Sequence, residues 1–423
     1  MSLVELRMAP RIFVTTESPQ LGLAPGDLAD LDERVSRFVR EHIMLRTVAV
    51  LHAQIARGPA AAHIYLGHMR LRDGRDATRG IGLFPALLAT ALMVCLAGPP
   101  RADAQASGTL DIYFIDVEGG QATLYVSPSG QSMLVDAGYR GFGGRDASRI
   151  VAVAKQAGLQ RIDYLVVTHY HGDHAGGVPE LAARMPIRTF VDHGPTSERG
   201  ERVDALMRPY LQARSTGAHL EVKAGDRIPV DGLDVRVVTS NGALLSVPLD
   251  GGGLPNPLCA DFTPMKDETS EDAYSVGTVT AYGRFRIMNL GDLSWNQEYG
   301  LVCPTNRIGT VSVLLATQHG DEETGSPAFV YALRPKAVIA GNGPRKSVVG
   351  PLVRTVRAAP RPMDLWQLHQ SFLGEQLNVA EPFIGNLGET DAGHWLKVSA
   401  RADGSFSVTN GRTSDTKAYA TGD

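Results

Sequence analysis

The chain has 423 residues, 43% hydrophobic and 20% charged, with a formal net charge of −4. That balance marks a globular protein rather than a disordered one, long enough for one large domain plus extra segments. From Gln105 onward 29 Lys and Arg face 35 Asp and Glu, with no basic run and no basic stripe interleaved with aromatics. Tight nucleic-acid binding is therefore not expected, and a small or loosely held anionic substrate is the better fit.

The first landmark in chain order is an apolar run, Ile81 to Gly98, preceded by Arg70, Arg72, Arg75 and Arg79 and followed by Ala102-Asp103-Ala104. Small residues at that spacing suit a signal peptidase, so 69–104 reads as a signal peptide. A transmembrane anchor is the rival reading, disfavoured by the internal Pro85 and the cleavage-like flank. Translation is then expected to begin at Met69, with residues 1–68 an over-extended start outside the fold. The competing view makes Leu28 to Leu51 a cytoplasmic helix ahead of an anchor. The domain proper is 105–423, expected in the periplasm or outside the cell, with no membrane attachment after cleavage. Export leaves Cys259 and Cys303 as an even pair, expected to form a disulfide. Two buried free thiols are the alternative.

Apolar and β-branched runs then alternate with helical segments. Ile112 to Val117 is a strand-like run followed by a Gly-rich turn, Ser132 to Gly138 is a second run ending in an Asp and a Gly, and Ala147 to Ala157 reads as a helix. Ile162 to Val167 is a buried strand, and Ala175 to Ala182 starts a helix. Between them stands Thr168-His169-Tyr170-His171-Gly172-Asp173-His174. Three imidazoles and a carboxylate so close together are costly to bury unless a metal takes their lone pairs. On a tight turn His169 and His171 can face one side and Asp173 and His174 the other, which suits two adjacent metals. A polar loop with chance histidines is the bland alternative.

His193 ends a strand-like run, Ile187 to Asp192, while His219 follows a polar connector and is expected to be exposed. Ile287 to Asp292 and Leu314 to Gly320 are apolar runs ending in Asp292 and His319. After the strand Lys336 to Ala340, the loop with Arg345 and Lys346 could grip an anion or be a solvated turn. His369 could approach the cleft, though a structural role suits it better. His394 to Ser399 and Ser405 to Thr409 alternate around Asp403-Gly404 as a closing hairpin.

H-x-H-x-D-H after an apolar strand resembles the metallo-β-lactamase superfamily, and the other landmarks agree in order from about Leu110 to Gly343. Within it the likeness is to the hydrolase domain of ComEC competence proteins and their secreted relatives. That likeness rests on Ile112 to Val117 with Glu118-Gly119-Gly120-Gln121, on Tyr282-Gly283-Arg284-Phe285 with Gly291-Asp292-Leu293, and on Gln318-His319-Gly320 with Gly325-Ser326-Pro327. The paired His-His-Gly usual in that branch is reduced to a single His here, and the early turn departs from Gly-Gln-Gly-Asp.

The resemblance implies a four-layer αββα sandwich and two zinc ions, manganese being an alternative. His169, His171 and His193 would hold one ion, Asp173, His174 and His319 the other, and Asp292 would bridge them. His193 could instead merely border the pocket, in which case a single-metal enzyme becomes the alternative. A metal-bound hydroxide, oriented by Asp173, would attack a phosphodiester or other ester. A periplasmic β-lactamase and a metal-binding protein without catalysis are the competing functions.

Overall fold

The computed structural model describes residues 108–348, 350–373, 377–389 and 393–421. The expected start at Met69, the signal segment 69–104 and the preceding residues 1–68 lie outside the described residues. Among the described residues no helix is long and apolar enough to cross a membrane.

The strands follow one another as β1 (Leu110–Phe114), β2 (Thr123–Val126), β3 (Ser132–Val135), β4 (Ile162–Val166), β5 (Ile187–Asp192) and β6 (Ala218–Glu221). Next come β7 (Arg227–Ile228), β8 (Asp234–Ser240), β9 (Ala243–Leu244), β10 (Leu254–Pro255), β11 (Gly277–Tyr282), β12 (Phe285–Asn289) and β13 (Thr305–Asn306). The series ends with β14 (Val313–Leu315), β15 (Ala337–Ala340), β16 (Asp364–His369), β17 (Ile384–Asn386), β18 (Leu396–Ala400), β19 (Phe406–Asn410) and β20 (Thr416–Tyr419). Helices α1 (Arg145–Gln156), α2 (Val178–Ala182) and α3 (Glu201–Arg214) belong to the first half, and α4 (Trp295–Val302), α5 (Pro327–Leu333) and α6 (Pro351–Arg357) to the second.

One sheet runs β20-β19-β18-β1-β2-β3-β4-β5-β6, the other β17-β16-β15-β14-β12-β11-β8-β7, with β9 paired to β8. Phe114, Met133, Val166, Val237, Phe285, Ile339 and Trp366 form the layer between the sheets. A second apolar layer joins the first sheet to Ile150 and Ala154 of α1 and Tyr210 of α3, and a third joins the second sheet to Leu301 of α4 and Phe329 of α5. The result is the four-layer helix–sheet–sheet–helix arrangement. Its layering explains the strand sequences: β14 and β15 are covered on both faces and read as continuous apolar runs, while β3 and β4 carry a buried polar pair in which the Ser132 amide donates to Asp163 Oδ2 at 3.1 Å. The hairpin β18–β19 alternates buried and half-buried residues, as a sheet margin does.

The parallel pairs β3–β4 and β4–β5, and in the other sheet β12–β14 and β14–β15, send their C-terminal ends the same way within each sheet. Loops after β3, β4, β12 and β14 therefore gather the candidate ligands. His219 is exposed, as expected, and lies within β6, where its Nε2 is 2.8 Å from Asp192 Oδ1 at the end of β5.

Candidate metal centre

The turn from Thr168 to His174 hangs from the end of β4 and is held by Asp136, a residue with φ 62° at the end of β3. Asp136 accepts from the Thr168 amide at 2.8 Å and from the Thr168 hydroxyl at 2.8 Å, and lies 2.8 Å from His174 Nδ1. Fixing Nδ1 in this way leaves His174 Nε2 free to face the centre. The same logic acts on His319, whose Nδ1 lies 3.0 Å from the Gly341 carbonyl. Gln318 and His319 both have positive φ, 47° and 58°, a conformation that aims the imidazole inward after β14. Gly291 before Asp292 has φ 59°, and a Cβ there would come 2.8 Å from the Thr168 Cβ, so glycine is required where the loops meet.

Two donor sets result. Asp173, His174, Asp292 and His319 present ligand atoms within 4.8 Å of one another, and His169, His171 and Asp272 form a second such group. In the first, His174 Nε2 lies 3.4 Å from Asp173 and 3.3 Å from Asp292, while His319 Nε2 lies 3.5 Å and 3.4 Å from the same two carboxylates. In the second, Asp272 Oδ1 is 3.1 Å from His169 Nε2 and 2.8 Å from His171 Nδ1.

The place expected for His193 is held by Asp272. His193 is buried off the donor set, its Nε2 2.9 Å from Glu271 Oε1, and the neighbouring residue of that carboxylate delivers the ligand. Glu271 also accepts from the Ser197 amide at 2.8 Å, which ties the loop after β5 to the loop before β11. Asp272 is absent from the ligand set expected from the sequence. Its position in the short segment Glu271–Tyr274 just ahead of β11, whose partner strand β12 carries Asp292, was the available signal.

The other candidates separate cleanly. His369 is fully buried with Nε2 2.9 Å from Asp116 Oδ1, beneath the turn at Glu118, and does not reach the cleft. Arg345 points to solvent and pairs with Glu389 at 2.6 Å. Lys346 turns the opposite way and contacts Asp173 Oδ2. Cys259 and Cys303 are joined in a disulfide with Cα atoms 5.8 Å apart.

The donor atoms suit metal ions on a physical test. His174 Nε2, Asp292 Oδ1, His319 Nε2 and Asp272 Oδ1 are buried without a hydrogen-bond partner, a state that is unfavourable unless a cation takes their lone pairs. Burial opposes ionisation of Asp292 and Asp173, yet the surrounding imidazoles hold both carboxyls well below the usual range. Burial likewise opposes protonation of His171, but Asp272 beside it pushes the pKa up to about 9. Three carboxylates and four imidazoles thus place oxygen and nitrogen donors together in one pocket. That mixture suits zinc and also harder divalent ions such as manganese.

The fold is that of the metallo-β-lactamases, and the two donor sets form its candidate metal centre. Residues 115–255 match the family model Metallo-beta-lactamase superfamily. A hydroxyacylglutathione hydrolase of Stenotrophomonas maltophilia is 40% identical over 95 residues, covering 21% of this chain and 34% of that protein. A ribonuclease Z of Kineococcus radiotolerans is 32% identical over 160 residues, 34% of this chain and 48% of that protein. The chain thus spans between about a third and about half of these relatives. Among solved structures, the Bacillus subtilis metallo-beta-lactamase fold protein YhfI overlaps 61% of this chain and 95% of its own, at 10% identity and a TM-score of 0.38.

Proposed function

We propose that the protein is a metal-dependent hydrolase that cleaves small anionic esters, phosphodiesters first among them, with two divalent ions, zinc or manganese. The observation that carries this reading is the pair of adjacent donor sets with buried, unpartnered ligand atoms. The partial likeness to proteins named as hydrolases and a ribonuclease supports it.

Bound divalent ions would lower the pKa of water and polarise the scissile centre. The chain's own residues set the rest. His169, His171 and Asp272 would hold one ion, and Asp173, His174, Asp292 and His319 the other. Asp136 fixes the tautomer of His174, and the Gly341 carbonyl that of His319. Asp173 lies toward the more open side of its set and would accept a hydrogen bond from the attacking water, orienting it.

Export to the periplasm or beyond, and membership of the ComEC-like secreted branch, belong to the same proposal. The disulfide supports the first and the Gly-rich turn the second. The acidic domain argues for a small substrate over a polynucleotide. Purified, metal-loaded protein should hydrolyse bis(p-nitrophenyl) phosphate and leave a chromogenic cephalosporin intact. The reverse result would make it a β-lactamase, and metal content without turnover of any ester would make it a binding protein. Asp292→Ala should lose metal together with turnover, and full activity in that variant would sink the proposed metal site.

A further inference from the structure

An aromatic and cationic wall rises from the donor set to solvent on the loops after β3 and β15. At its base Lys346 contacts Asp173 Oδ2. The Lys346 stem runs along the Gly119-Gly120 turn, where a Cβ on Gly119 would come 3.0 Å from Lys346 Cβ and one on Gly120 would come 2.6 Å from the Asp173 carbonyl oxygen. Gly119 makes room for the lysine, and Gly120 for the backbone of the Asp173 turn. Beside it the Tyr139 ring borders the same turn, 3.3 Å from where a Cβ on Gly120 would lie, and the Tyr139 amide donates to Asp146 Oδ2 at 2.7 Å.

At the top, Phe142 is 69% exposed with φ 51°, a conformation that a bulky L-residue seldom adopts. Its ring is nevertheless held. It meets Tyr139 edge-on at 6.1 Å, and the Arg145 guanidinium lies 4.6 Å from its centroid. Arg145 is itself fixed by Glu118 at 2.7 Å, Asp146 at 2.6 Å and the Val117 carbonyl at 3.2 Å. An exposed aromatic kept in a strained backbone and braced by a doubly paired arginine is pre-organised for contact rather than left over from packing.

We propose that Lys346, Tyr139 and Phe142 form the substrate-recognition wall of this site, selecting a small anionic ester that carries a planar apolar group next to its anionic centre. The inference rests on the hydrolase reading above and adds the substrate class. Lys346 supplies the positive charge at the rim of the donor set, where an anion held at the centre meets it. Phe142 supplies the face for an aryl or similarly flat group. One lysine with one aromatic platform, in a domain lacking a basic stripe, fits a compact ligand and not a polymer.

The test is direct binding of phenylphosphonate and methylphosphonate to the metal-loaded full chain by calorimetry, which needs no turnover. The native protein should bind phenylphosphonate about tenfold more tightly. Phe142→Ala should erase that ratio, and Phe142→Tyr should keep it. Lys346→Met should weaken both ligands about tenfold at unchanged metal content. Equal affinity for the two phosphonates in the native protein, a ratio that survives Phe142→Ala, or no saturable binding at all would overturn the wall. Selective phosphonate binding without hydrolysis of any ester would overturn the hydrolase reading and leave the wall standing.

Discussion

Asp272 and His193 show how a single residue's task is set by its neighbours. Both lie near the Thr168–His174 turn, but the partly exposed Asp272 faces two imidazoles and the buried His193 faces a carboxylate. Asp272→Ala should therefore remove metal from the three-donor set. His193→Ala should keep both ions bound and lower affinity about 10- to 100-fold, as loss of a supporting partner does. Elemental analysis with chelator competition separates the two outcomes. Glu298 gives a pH prediction at the same scale. It is fully buried on α4, accepts from the Gly325 amide at 2.9 Å, and burial pushes its pKa up to about 8. Because the folded state holds this proton more firmly than the unfolded chain, the native protein loses stability as pH rises from about 4.5 toward 8. Glu298→Gln removes that dependence. Its stability relative to native should rise across this window by up to about 1.4 kcal/mol per pH unit, read from urea midpoints.

Among the elements, the loop between β9 and β11 is the one whose order comes mainly from cross-links. The disulfide joins Cys259 to Cys303, 44 residues apart, at the end of α4. Phe262 stacks on Tyr299 at 4.0 Å, and Trp295 Nε1 donates to the Thr263 carbonyl at 2.9 Å. Both attachments bear on α4, the helix that starts just after Asp292. Replacing both cysteines by alanine should cost about 2–4 kcal/mol, measured as a shift of the denaturant midpoint. A shift below about 0.5 kcal/mol would mean that the aromatic stack holds the loop alone.

For the whole molecule, the fold closes when β18–β20 pair with β1 and complete the first sheet. Because β1 begins at Leu110, a chain starting at Gln105 should fold and load metal as the full chain does. Circular dichroism and elemental analysis of that form check this, and a failure to fold would show that earlier residues contribute to the core. N-terminal sequencing of exported protein should find the same start. The acidic domain also predicts weak binding to DNA, with a shallow dependence on salt in a fluorescence titration.

The amino-acid sequence by itself determined the turn from His169 to His174, a local pattern in which an apolar run long enough for a buried strand ends in polar residues that the strand end must present to the cleft. The sandwich class and the candidate donors Asp292 and His319 were legible only through the family resemblance that this turn and the later motifs carry. The cysteine pair was legible for a different reason, since removing the expected signal segment with Cys95 leaves only two of the three cysteines. Tertiary structure alone decided among residues that are locally alike. Asp272 outranks His193 because the loop before β11 meets the turn after β4, a contact between sheets that no spacing along the chain encodes. Arg345 and Lys346 are adjacent cations, yet one pairs with Glu389 in solvent and the other enters the site, because the turn packs against Gly119 and Gly120. His369 carried the same ambiguity, and the buried carboxylate of Asp116 beside it settled its place.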